Sequence, residues 1–131
     1  MTQLPLDHTA VAVPSLEDAI ALYESITGAR ATPIETLESQ GVRVAFVGEL
    51  ELIEPLGPDT PVGRFVSRHG PGLHHIAYRT PDIERELARL VAAGYSAIDQ
   101  SPRPGARGHR VAFLHPKSTG KVLIELVQAA R

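Results

Sequence analysis

The 131-residue chain contains no cysteine. Disulfides, iron–sulfur ligation and thiol catalysis are thereby excluded, and any transition-metal site must draw on histidine, carboxylate or amide ligands. An excess of one charge is lacking too, since 13 Lys and Arg stand against 15 Asp and Glu for a formal net charge of −2, with the basic residues scattered. Neither nucleic acid nor an anionic membrane is therefore expected as the main partner, although a few arginines suffice to hold a small anion. No apolar run approaches the ~18 residues of a membrane span, and there is no basic-then-apolar leader, so no membrane partner is expected and cytoplasmic is the default location. A chain of this length suits one compact domain that buries about two-thirds of its unfolded surface, so no cofactor is needed merely to hold it folded.

What is present is a repeat. Gly108-His109-Arg110-Val111-Ala112-Phe113 restates Gly41-Val42-Arg43-Val44-Ala45-Phe46 at an offset of 67 positions (110 − 43). The same offset pairs His75 with His8, Pro81 with Pro14 and Glu84 with Glu17, so more than one element is duplicated.

Leu6 to Val13 is a short β-rich run ended by Pro14, with His8, Ala10 and Ala12 on one face. Ser15 caps a helix that runs to Gly28, and residues 29–40 form an extended or irregular connector. Val42 to Val47 and Leu50 to Glu54 read as a hairpin about Gly48-Glu49. A helical joint starts at Pro61, and the pattern then begins again. Leu73 to Thr80 is a strand, Pro81-Asp82 opens a helix that ends at Gly94, one residue short of the repeat register, and Tyr95 to Ile98 is a short strand candidate. Residues 101–108 form a Pro/Gly/Arg loop before a closing hairpin of Arg110 to Leu114 and Val122 to Val127. The expected fold is α+β: two paired β-α-β-β-β modules, 1–58 and 73–131 with the joint at 59–72, forming one curved, mostly antiparallel sheet in a single domain.

Allowing for seven extra residues in the second hairpin, Glu125 takes the place of Glu51. Four residues then stand out: His8 and His75 on the first strands, Glu51 and Glu125 on the last. Two imidazoles and two carboxylates suit a borderline divalent ion such as Co, Ni, Zn, Mn or Fe(II). The bland alternatives are hydrogen-bonded structural histidines and solvent-facing glutamates, which antiparallel sheets accommodate freely. His74 alternates to the opposite face from His75 and reads as structural. His115, Lys117 and Ser118 in the enlarged hairpin read either as a polar loop or as a substrate contact. Arg103, Arg107 and Arg110 read as a solvated set that could also aid an anionic ligand.

The order LDHTAVAVPSLEDAIALYE, QGVRVAFV, LELIEPLG, GLHHIAY and RVAFLHPKSTGKVLIELVQ closely resembles the methylmalonyl-CoA epimerases of the vicinal oxygen chelate superfamily over nearly the whole chain. The GLHHIA strand and the FLHPKSTG hairpin are its most specific pieces. The resemblance implies paired β-α-β-β-β modules, a homodimer, and metal ligation at His8, Glu51, His75 and Glu125, with Co2+ first and Zn2+, Ni2+ or Mn2+ as alternatives. It implies an acyl-CoA thioester substrate and interconversion of (R)- and (S)-methylmalonyl-CoA by removal and return of the C2 proton. One departure matters: a family position that carries a proton-transfer glutamate is Val44 here. Glu51 and Glu125 are accordingly expected to be the two catalytic bases. The alternatives are a glyoxalase I-type isomerase (lactoylglutathione lyase) and a metal-free ligand-binding or resistance protein of the same fold.

Overall fold

The structure, a computed structural model, describes residues 3–130. Its strands are β1 (Leu6–Ala12), β2 (Glu35–Leu37), β3 (Val42–Val47), β4 (Leu50–Pro55), β5 (Gly72–Arg79), β6 (Arg103–Pro104), β7 (Arg110–Leu114) and β8 (Ile124–Gln128). Its helices are α1 (Leu16–Thr27), α2 (Pro61–His69) and α3 (Ile83–Ala92). Each module thus runs strand, helix, three strands, as the repeat implies. Two compact units form, one of Thr9–His74 and one of the residues up to His8 with those from His75 onward.

The helices begin where side chains satisfy their first N–H groups. Ser15 accepts from the Asp18 N–H at 3.2 Å, and Asp82, 67 positions on, accepts from Arg85 at 3.1 Å. Thr60 does the same for Gly63 at 3.0 Å, with Pro61 occupying the first helical turn. Gly28 ends α1 in the left-handed conformation at φ 76°, whereas α3 is two residues shorter and stops at Ala93.

In the unit of Thr9–His74 the strand order is β2-β3-β4-β1, with β4 antiparallel to β3 and parallel to β1. Leu52, Ala45 and Val47 pack against Leu16 and Ala19 of α1. The other unit repeats this as β5-β8-β7-β6, where Ala112, Leu114 and Leu126 pack against Ile83 and Leu87 of α3. The start of β1 belongs to this second unit, where the Pro5 carbonyl accepts from the Arg79 N–H at 2.9 Å. Strand alternation therefore turns Val44, Phe46, Glu51 and Ile53 away from α1, and Val111, Phe113, Glu125 and Val127 away from α3.

Three expectations change. The connector at 29–40 contains the strand β2, and Tyr95 to Ile98 makes only an isolated bridge, Ala97 to Leu114, while β6 forms inside the Pro/Gly/Arg loop. The cause is a side chain in the ladder. Asp99 Oδ2 accepts the Phe113 N–H at 2.8 Å, which a continuous strand would have bonded, so pairing along β7 breaks and resumes at Arg103. Thr32 Oγ1 does the same to Phe46 at 2.9 Å. Thr32 and Asp99 are again 67 apart (99 − 32), so the register lost at the helix end is recovered.

Candidate metal centre

Among the described residues the buried polar or charged ones are His8, Glu51, His75, Thr80 and Glu125. Thr80 is accounted for by the turn that starts α3, where its hydroxyl meets Asp82. The other four are the residues that the repeat singled out. Glu51 is 6% exposed and Glu125 5%, which overturns the solvent-facing reading of both. A carboxylate at that depth costs several kcal/mol unless charge or hydrogen bonds compensate it.

In the second unit three of them converge. His8 Nε2 lies 3.3 Å and His75 Nε2 3.4 Å from Glu125 Oε1. The imidazole rings meet edge to face at 5.5 Å, and Phe113 packs on His75 at 5.2 Å. His8 Nδ1 lies 2.7 Å from Asp7 Oδ2, so with that nitrogen donating, Nε2 carries the lone pair that faces Glu125. Two acceptor atoms at that range are stable around a shared proton or cation. Asp7 is itself held by Arg79 at 3.2 Å and approached by Arg107 at 3.8 Å.

Glu51 holds the matching place in the other unit. It sits opposite Ala10 and Phe46, as Glu125 sits opposite Ala77 and Phe113, and both pairs of partners are 67 apart.

The donor chemistry fits a divalent ion. Donors held about 2.1 Å from one ion at angles of 90–110° lie roughly 3.0–3.4 Å from each other, and the two contacts to Glu125 fall in that range. Imidazole with carboxylate is a borderline set that suits Co, Ni, Zn or Mn.

The hairpin residues are placed differently. His115 Nδ1 accepts from the Lys117 N–H at 3.0 Å, and Ser118 Oγ accepts from the Ser96 N–H and donates to the His115 carbonyl, both at 3.0 Å. These bonds knit a turn, with His115 and Lys117 exposed. His74 packs edge to face on Phe65 of α2 at 4.8 Å, in keeping with a structural part. His109 accepts from the Ala130 N–H at 2.8 Å. Sequence reasoning missed Asp7 and Phe113. Asp7 alternates away from His8 in a regular strand, and its only signal was a carboxylate adjacent to a candidate ligand.

The profile of the Glyoxalase/Bleomycin resistance protein/Dioxygenase superfamily matches residues 7–113. The human mitochondrial methylmalonyl-CoA epimerase is 39% identical over 129 residues, covering 95% of this chain and 73% of that protein. The ethylmalonyl-CoA/methylmalonyl-CoA epimerase of Cereibacter sphaeroides is 38% identical over 129 residues, covering 94% of this chain and 96% of the relative. A Streptomyces coelicolor methylmalonyl-CoA epimerase solved in complex with 2-nitronate-propionyl-CoA superposes with a TM-score of 0.95 at 34% identity, covering 99% of this chain and 100% of that one. With a profile match over most of its length and relatives of this identity, the chain belongs to the Glyoxalase/Bleomycin resistance protein/Dioxygenase superfamily.

Proposed function

We propose that the chain is a metal-dependent epimerase that interconverts (R)- and (S)-methylmalonyl-CoA by abstracting the C2 proton and returning it to the opposite face. The observation that carries this reading is the buried pair Glu51 and Glu125 at matched rungs of the two modules, with Glu125 beside His8 and His75. The epimerase relatives support the substrate. His8, Glu51, His75 and Glu125 would hold the ion, with Co2+ the first choice; the grouping of His8, Glu51 and His75 as potential ligands supports three of the four. A divalent cation supplies the positive charge that a developing enolate oxygen requires.

The chain's own residues do the rest. One glutamate takes the proton between thioester and carboxylate, and the other delivers a proton to the far face. Val44 is buried on Glu51's face and cannot carry a proton, which leaves Glu51 as the first module's base. Phe46 and Phe113, each opposite one glutamate, keep that face apolar around the carboxylates. A homodimer, which the family resemblance implies, and a cytoplasmic location, the default expectation, are parts of this reading; no helix among the described residues is long and apolar enough to cross a membrane.

The test is deuterium incorporation at C2 of methylmalonyl-CoA in heavy water with Co2+-loaded protein. Exchange that a chelator abolishes is expected. Absence of exchange, together with turnover of a glutathione hemithioacetal, would transfer the chain to the glyoxalase I-type reading.

A further inference from the structure

We propose that Arg103 is the specificity residue that recognises the free carboxylate of the acyl-CoA substrate, a role that rests on the epimerase reading above. Arg103 lies opposite Val111 in the β6–β7 ladder, so it shares a face with Val111, Phe113 and Glu125. Its guanidinium carbon stands 5.8 Å from the centre of the Phe113 ring. That ring in turn packs on His75 at 5.2 Å and sits opposite Glu125. The arginine is therefore seated at the edge of the buried histidine and glutamate cluster, on an aromatic plate that belongs to it.

Its anchoring engages the inner nitrogen of the guanidinium. Asp99 Oδ1 lies 3.2 Å from Nε, an ion pair outside hydrogen-bond geometry, while the other Asp99 oxygen is committed to the Phe113 N–H at 2.8 Å. Asp99 thus holds the guanidinium by its inner nitrogen, in a side chain that is 34% exposed. A planar fork fixed at one corner is the geometry that binds a carboxylate through two parallel hydrogen bonds. Gly105 lets the strand come this close: a Cβ there would stand 2.7 Å from Val111 Cγ1. A plain surface ion pair would need neither the aromatic seat nor the pressed-in strand.

The phosphates of the CoA moiety share this anion chemistry, and the experiment separates the two. Equilibrium binding of methylmalonyl-CoA and of propionyl-CoA, the same thioester without the carboxylate, is measured by calorimetry on metal-loaded wild type, R103M and R103K. Removing the guanidinium in R103M should weaken methylmalonyl-CoA about 10- to 100-fold and propionyl-CoA by no more than about twofold, with unchanged metal content. R103K should fall between, since an ammonium keeps the charge and loses the fork. Equal losses for both thioesters would assign Arg103 to the CoA moiety and overturn the proposal, as would no loss for either. Should R103M fail to fold, R103K decides, because full retention of the preference for methylmalonyl-CoA there contradicts recognition by the fork. A wild type that binds both thioesters equally and exchanges no C2 proton overturns the epimerase reading, and this role with it.

Discussion

Asp7 shows how much of the centre depends on a residue next to a candidate ligand. Its carboxylate lies 2.7 Å from His8 Nδ1 and is itself clamped by Arg79, so it selects the tautomer in which Nε2 offers a lone pair toward Glu125. Replacing Asp7 with Asn removes the charge and makes that selection ambiguous. D7N should weaken Co2+ binding about 10- to 100-fold in a direct titration, and an unchanged affinity would show that His8 is oriented by its backbone alone. At this scale the sequence was partly legible. The repeat offset paired Glu51 with Glu125, and the strand register puts them at matching rungs. It could not give their burial, which depends on what covers that face, and parity placed Asp7 on the wrong side of the strand to be noticed.

Among the elements, the repeat preserves pairings as well as residue types. Arg43 pairs with Glu17 at 2.5 Å, and Arg110 pairs with Glu84 at the equivalent place, each tying a strand to its helix. The guanidinium in each pair holds its glutamate's carboxyl below the usual range through the side-chain hydrogen bond. A carboxyl lowered in the folded state stabilises above its unfolded pKa, and that contribution is lost as pH falls through the folded pKa. The doubly substituted variant E17Q/E84Q should therefore lose slightly less stability than wild type between about pH 5 and pH 2 in denaturant titrations, and an identical loss would assign no linkage to the pairs. Gly63 of α2 is a steric requirement. A Cβ there would stand 2.1 Å from the Gly57 carbonyl oxygen, so Ala must displace the 57–60 turn. Overlap of that kind costs about 1–3 kcal/mol, more than the ~1 kcal/mol of helix propensity that Ala gains. G63A should melt below wild type, and a raised Tm would contradict the packing. The short edge strands β2 and β6 were illegible for a related reason: two or three residues carry no periodicity, and Thr32 and Asp99 set their limits by taking ladder N–H groups.

For the molecule as a whole, the 67-residue offset was the most informative reading, because the two modules keep the same hydrogen bonds at equivalent places, with the acceptors on the last strand displaced by the seven extra residues of the second hairpin. Leu16 N–H donates to Glu54 and Ile83 N–H to Gln128, each at 2.9 Å, and Val13 and Thr80 bond the last strands of their modules at 2.8 Å. Repetition at that level carries side chains to matched places, which is why the sequence alone pairs two histidines and two glutamates. Metal that binds only the folded chain must raise its melting temperature, on the order of 10 °C at about 100-fold excess over Kd. H75A should lose that rise while melting normally without metal; a retained rise would remove His75 from the ligands. The central claim is that the two modules supply one base to each face of the substrate. Its most direct test is proton washout in heavy water from each pure C2 epimer by E51Q and by E125Q, with metal content verified. The account predicts that each variant still exchanges one epimer and loses the other, in complementary fashion. Loss of the same epimer in both variants, or full epimerisation by either, would contradict it.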